Sequence, residues 1–188
     1  MARIPYPDPK KLSPQQNELL KKANLNVFTM WAHSQNTIEL IIGLGAAQFA
    51  KLELPRGIRE MVTLLGAHSN TAFYEWGQHI ELSKAAGVSD EQRAALACGD
   101  VDAACFSAAE QAALRLAAAV LAGPKVSDET FGAAEKYLNN RQLVEMVGVI
   151  GYYWMLGRIA TVFQVDLDIA KGTDVYDAGI KLAAQTSA

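Results

Sequence analysis

The segment from Arg141 to Gln164 constrains the fold of this chain most strongly, because it is long and apolar nearly all round in its middle. A helix with apolar residues on every side is stable only when it is buried among several neighbours. The segment also contains Gly148, Gly151 and Gly157, and a glycine inside a helix costs about 1 kcal/mol relative to alanine. We therefore expect a central buried helix that other backbones approach closely at these glycines.

Helix signals recur along the rest of the chain. Three capping boxes, each a serine followed three residues later by Gln or Glu, start at Ser13, Ser89 and Ser107. Alanine is the commonest residue, four of the six prolines lie in the first 14 residues, and no useful strand-like alternation is present. The sequence predicts an all-α, single-domain bundle of seven or eight helices. Its predicted parts are an extended arm (1–12), a helical domain (13–166) and a C-terminal tail (167–188).

Composition and charge exclude several classes of function. Seventeen basic residues stand against twenty acidic ones, whereas a nucleic-acid surface needs clustered Lys and Arg. The two cysteines, Cys98 and Cys105, are too few for a disulfide framework or a zinc site. The longest charge-free stretch, Met146 to Gly157, is too short to span a bilayer, and the N-terminus lacks the apolar region of a secretory signal. We expect a cytoplasmic protein with a small-molecule substrate and with neither nucleic acid nor membrane as partner.

Candidate catalytic residues lie on two consecutive predicted helices. Glu75 and His79 are four residues apart, so they share one helix face. Glu60 lies on the preceding helix, and a tight antiparallel hairpin would bring it opposite them. An imidazole between carboxylates is held in one tautomer and can take and return a proton. The alternative is an exposed Glu–His pair that adds only a few tenths of a kcal/mol to helix stability.

Several segments carry a family resemblance. The sequence resembles the carboxymuconolactone decarboxylase and alkyl hydroperoxidase D superfamily over roughly residues 20–165. The resemblance is carried by Leu54–Leu64, Tyr74–His79 and Ala85–Ser89, with further similarity at Val27–His33 and Leu143–Trp154.

The resemblance separates two branches of the superfamily. The peroxidase branch has a Glu, then Cys-x-x-Cys, then a His three residues beyond the second Cys. Glu60 and His79 match its Glu and His, but Ala72 and Glu75 occupy the two cysteine positions. Peroxide reduction by that branch needs both thiols. The site is more similar to the non-redox branch, which includes the decarboxylases and keeps Glu-x-x-x-His without the cysteines.

This resemblance implies a cofactor-independent acid–base enzyme, similar to a decarboxylase (a lyase), an isomerase or a hydrolase, that acts on a small lactone or carboxylate. His79 is the expected proton shuttle, and Glu75 or Glu60 would orient it. Backbone N–H groups near Thr71 and Ala72 would receive an anionic part of the substrate. Two alternatives stay open, namely an antioxidant with peroxiredoxin activity and a non-catalytic ligand-binding or scaffolding protein.

Further residues are weaker candidates. Tyr74, Trp76, Ala72 and His33 are candidates for lining a substrate pocket. The aromatic run at Tyr152–Trp154 must direct at least one side chain away from its own core. The spacing of the His and Glu residues matches no common metal site, so we expect no metal. The resemblance to the decarboxylases implies that no other cofactor is needed. The resemblance also implies a homo-oligomer, either a trimer or a hexamer.

Overall fold

A computed structural model describes residues 1–168 and residue 181, and these residues form helices without any β-strand. The helices are α1 (Pro14–Lys22), α2 (Asn26–Trp31), α3 (Ile38–Ala50), α4 (Arg56–Ser69), α5 (Phe73–Ala85), α6 (Asp90–Ala97), α7 (Ala108–Ala122), α8 (Asp128–Glu135) and α9 (Asn140–Val162). The all-α prediction is confirmed, and all three predicted capping boxes form.

The helix count differs from the prediction. The described residues contain nine α-helices, and a single 3-10 turn, Pro9–Lys11, lies in the predicted arm. The helix that sequence analysis missed is α2, which has six residues. Leu25 precedes it, and no side chain caps its first turn. A short helix without a capping residue leaves no local sequence signal, because packing rather than propensity stabilises it.

The chain divides into two compact units. The first unit comprises residues 1–51 and, among the described residues, those from 158 to 168. Its core joins the 3-10 turn to α3 through Leu12, Ile38 and Ile42, all of which are buried. The arm is fixed by hydrogen bonds, since Arg3 N donates to Phe163 O at 2.8 Å. The predicted tail begins at residue 167, and residues 169–180 and 182–188 of it lie outside the described part of the chain.

The second unit spans residues 52–157 and contains α4 to α8 with most of α9. Helices α4 and α5 form the tight hairpin that the spacing predicted. They are joined by residues 70–72, in which Thr71 adopts a left-handed conformation with φ of 50°. This conformation is uncommon for a β-branched residue, and it reverses the chain within three residues. The hairpin brings the α4 residue Glu60 opposite the first turns of α5.

Helix α9 is the predicted central helix, although it is not buried on all sides. Met146 and Val149 are buried, whereas Val144 and Val147 are exposed. Trp154 is also exposed, in agreement with the expectation that one aromatic residue of its run points away from the core. By length and composition, α9 could also cross a bilayer once its flanking charged residues are included. Half of its most apolar stretch is buried within the protein, which is equally typical of a core helix.

The close approach expected at three glycines of α9 occurs at Gly157. A Cβ added there would lie 3.0 Å from the Cβ of Ala72 and 3.5 Å from the Cγ of Glu75. At Gly148 and Gly151, an added Cβ would meet no atom within 4 Å among the described residues, so the prediction is wrong for these two. Gly157 therefore lets α9 pack directly against the start of α5.

A candidate acid–base site between α4, α5 and α9

The core of the site is a chain of three side chains, Arg59, Glu60 and His79. Arg59 donates from Nε and Nη2 to Glu60 Oε1, at 2.9 and 2.7 Å. His79 Nδ1 lies 2.7 Å from the other carboxylate oxygen, Oε2. Because an ionised carboxylate only accepts hydrogen bonds, His79 must donate from Nδ1. The neutral ring then carries its lone pair on Nε2.

The second carboxylate, Glu75, lies on the other side of the imidazole. Its Oε2 is 3.9 Å from His79 Nε2, which is too long for a hydrogen bond. Its Oε1 is buried and has no hydrogen-bond partner among the described residues. The residue exposures of Glu60, His79 and Glu75 are 0%, 3% and 4%. The imidazole therefore lies between one fully bonded carboxylate and one under-bonded carboxylate.

The environment moves the pKa values of the two carboxyl groups in opposite directions. Burial would raise the pKa of Glu60, but the charges and hydrogen bonds of His79 and Arg59 outweigh it and lower that pKa. Burial raises the pKa of Glu75 from 4.5 to about 7, and His79 opposes this only in part. Glu75 also lies in the first turn of α5, where the helix dipole favours its charged form. Glu60 is thus a fixed anion, whereas Glu75 exchanges its proton near neutral pH.

Two tyrosines of α9 cover the site. The Tyr153 ring meets the His79 ring edge to face, with centroids 4.6 Å apart and an interplanar angle of 84°. Tyr152 packs against Tyr153 in the same manner, at 5.1 Å. Burial raises the pKa of both phenols, and the negative charge of Glu75 raises them further. Both tyrosines are therefore neutral at physiological pH, and they help to keep water from the imidazole.

The structure brings together the three residues that the spacing predicted, Glu60, Glu75 and His79. Their catalytic role stays a prediction. Of the weaker candidates in this unit, Ala72 and Tyr74 are buried and Trp76 is half-buried. Ala72 contacts α9 rather than an open pocket, since its Cβ faces Gly157.

His33 lies in the first unit and is exposed. Its Nε2 is 2.8 Å from the carbonyl oxygen of Pro5 in the arm. With Trp31 and Met30 it lines a largely apolar cavity of about 240 Å³ within that unit. This hydrogen bond joins His33 to the arm at Pro5, and its place in a substrate pocket stays a prediction.

The expectation that backbone N–H groups near Thr71 and Ala72 receive a substrate anion is wrong. Thr71 N donates to His68 O at 3.0 Å, and Ala72 N donates to Ala67 O at 2.8 Å. Both donors are used to close the hairpin link, since the tight reversal turns them back toward α4. An anionic group of a substrate would need other partners.

Sequence analysis missed Arg59 and the specific part played by Tyr153. Arg59 is 3% exposed in an otherwise apolar stretch of α4. A buried cation needs a paired anion, so an arginine beside a glutamate within an apolar run was an available signal. Tyr153 left no such signal, because a contact between α9 and α5 cannot be read from local spacing. Within residues 1–168, no group of three or more His, Cys, Asp or Glu is arranged to hold a metal ion.

Comparison with known proteins finds a family profile that is similar to the part of the chain that contains this site. The sequence profile of the carboxymuconolactone decarboxylase family matches residues 36–119, which include Glu60, Glu75 and His79. No protein of curated function matches the sequence at a significant level.

Solved structures share the fold. An uncharacterised peroxidase-related protein from Ralstonia eutropha with an alkylhydroperoxidase AhpD core superposes with a TM-score of 0.73 and 17% identity, covering 95% of this chain and 96% of that one. A protein of unknown function from Agrobacterium tumefaciens, a putative antioxidant defence protein AhpD, gives 0.66 and 18%, with 74% and 96% covered. A cysteine variant of the debrominase Bmp8 in complex with 2,3,4-tribromopyrrole gives 0.74 and 14%, with 95% and 100% covered. At these identities the likeness to solved structures concerns the fold alone, and the profile match over residues 36–119 makes that part of the chain, which includes the site, similar to the carboxymuconolactone decarboxylase family.

Proposed function

We propose that this protein is a cofactor-independent acid–base enzyme that acts on a small lactone or carboxylate metabolite. One observation carries the proposal, namely a buried imidazole placed between a fully bonded carboxylate and an under-bonded one. A buried titratable group with a perturbed pKa is typical of catalytic sites. The family match supports an enzyme-like role, and the reaction itself is our proposal.

The roles of the side chains follow from their hydrogen bonds. Glu60 holds His79 by Nδ1, which fixes the tautomer and directs the basic Nε2 away from α4. Arg59 balances the charge of Glu60, so the permanent charges next to His79 cancel before His79 binds a second proton. His79 is then the proton shuttle, and Glu60 is its positioning residue. Glu75 is the second group that can exchange a proton with a substrate.

The first experiment is a substrate screen of the purified protein. It covers unsaturated lactones and small keto acids, and it adds halogenated heterocycles because a fold neighbour is a debrominase crystallised with a brominated pyrrole. We expect turnover that His79→Gln lowers by about 100-fold or more, the usual contribution of a general acid or base. The matched control is Glu81→Gln on the same helix, which removes an exposed carboxylate paired with Lys84. Full activity of His79→Gln on a substrate of the wild type would refute the assignment.

The two alternative functions, an antioxidant and a non-catalytic scaffold, can each be compared with features of the structure. An antioxidant with peroxiredoxin activity would need Cys98 and Cys105, which are free thiols, one exposed and one partly buried. Peroxide reduction that is abolished by alkylating these thiols would support that alternative. The scaffolding function predicts a solvent-exposed Glu75–His79 pair, whereas both side chains are buried.

A homo-oligomer and a cytoplasmic location remain proposals, which gel filtration and cell fractionation would test.

A further inference from the structure

The number of protons that the site holds points to a class of reaction. Arg59 and Glu60 cancel each other as a bonded ion pair. Glu75 and His79 are then neutral as a pair when they hold one exchangeable proton, whether it is on Oε2 or on Nε2. Losing that proton or gaining a second one would leave a net charge in a site that is almost fully buried, which is costly. The site is therefore suited to reactions that leave its proton count unchanged.

The geometry supplies two separate proton-exchanging atoms. His79 Nε2 and Glu75 Oε2 are 3.9 Å apart and are not hydrogen-bonded to each other. This separation is only somewhat wider than a three-carbon allylic unit, so each atom can face one end of such a unit. Glu60 cannot take part, because both of its oxygens are bonded to Arg59 or His79.

We propose that Glu75 and His79 together catalyse a 1,3-proton shift that converts a small β,γ-unsaturated lactone or ketone into its conjugated isomer. This inference rests on the proposed acid–base function and names its reaction class. Decarboxylation fits this site less well, because protonating the carbanion consumes a proton that a buried site must regain in each turnover.

The steps balance in protons and electrons. The Glu75 carboxylate takes a proton from the α-carbon, and the electrons of that C–H bond form a dienolate with its charge on the carbonyl oxygen. The Nε2–H of His79 then gives its proton to the γ-carbon. The dienolate electrons form the new C–H bond, the carbonyl is restored, and the double bond lies between the α- and β-carbons. The pair ends with one exchangeable proton, as it began, but on Glu75 instead of His79, and moving this proton to His79 before the next turnover resets the site, so no co-reactant is consumed.

The test uses α-angelica lactone and the deconjugated isomer of cyclohexenone as probes. Absorbance follows the conjugated products, and proton NMR in D2O follows deuterium entering the α- and γ-carbons. The variants are Glu75→Gln and His79→Gln, with Glu81→Gln as control, and circular dichroism verifies the fold of each. We expect isomerisation by the wild type, a loss of about 100-fold or more in each site variant, and no change in the control.

Three results would overturn the inference, and they are distinguishable. If neither probe isomerises or exchanges deuterium, while a β-keto acid loses CO2 in a reaction that requires His79, the 1,3-shift is refuted and the acid–base function stands. If neither chemistry occurs with any compound of the screen, both proposals fail. If isomerisation occurs and Glu75→Gln keeps the full rate, the two-group mechanism is refuted.

Discussion

Replacing Glu75 by glutamine should change how the stability of this protein depends on pH. The pKa of Glu75 is raised from 4.5 to about 7 in the folded protein, mainly because burial penalises its charged form. Between these two values the folded state binds a proton that the unfolded state has lost, so the free energy of unfolding falls as pH rises. At 1.36 kcal/mol per pKa unit, the rise in this pKa from 4.5 to about 7 costs the wild type about 3 kcal/mol above pH 7.

The assay is urea unfolding followed by tryptophan fluorescence at about pH 5 and about pH 8. We expect the free energy of unfolding of Glu75→Gln, relative to the wild type, to rise by about 2.5 kcal/mol between these conditions, because a small part of the effect is already present at about pH 5. The lowered pKa of Glu60 acts in the opposite direction, as its stabilisation is lost at low pH, but it is present in both proteins. Glu81→Gln should show no such change, because its side chain is 42% exposed. Parallel pH curves for wild type and Glu75→Gln would refute the reasoning.

Three further predictions concern packing and charge around the same helices. Gly157→Ala should lower the free energy of unfolding by about 1–3 kcal/mol, because its new methyl group overlaps Ala72. Gly148→Ala places its methyl group in open space and should raise the free energy of unfolding by up to about 1 kcal/mol. Thermal unfolding of both variants measures these effects, and equal effects would contradict the close approach at Gly157. Glu145→Gln should cost about 1–2 kcal/mol at neutral pH, because Glu145 Oε2 accepts two backbone N–H groups just before α4, each at 2.8 Å. The lowered pKa of Glu145 means that this cost should disappear as acid protonates the wild type, and a pH-independent cost would contradict the role of its charge. Arg59→Met should lower the free energy of unfolding by about 3 kcal/mol, because it leaves the buried carboxylate of Glu60 with His79 as its remaining partner. Urea unfolding measures this change, and an unchanged free energy of unfolding would show that the Arg59–Glu60 ion pair is dispensable.

Sequence reasoning predicted the hairpin of α4 and α5 closely. The predicted helix that carries Glu75 and His79 is α5, which spans Phe73–Ala85. The capping boxes elsewhere are local signals, set by backbone geometry and by side chains a few residues apart. Helix α2 and the exposed side of α9 escaped prediction, because they depend on packing partners that are distant in sequence.

What the sequence determined by itself is that Glu75 and His79 share one face of a helix and that Glu60 lies on the neighbouring helix. The 3.6-residue period and the short link between the helices suffice for that. The tertiary structure decided that Glu60 bonds the imidazole, that Arg59 neutralises Glu60, and that Glu75 is left with an unpartnered oxygen. Those features depend on which side chains α4 and α9 pack around α5. Desolvation, which sets the pKa of Glu75, is a property of that packing and leaves no trace in local spacing.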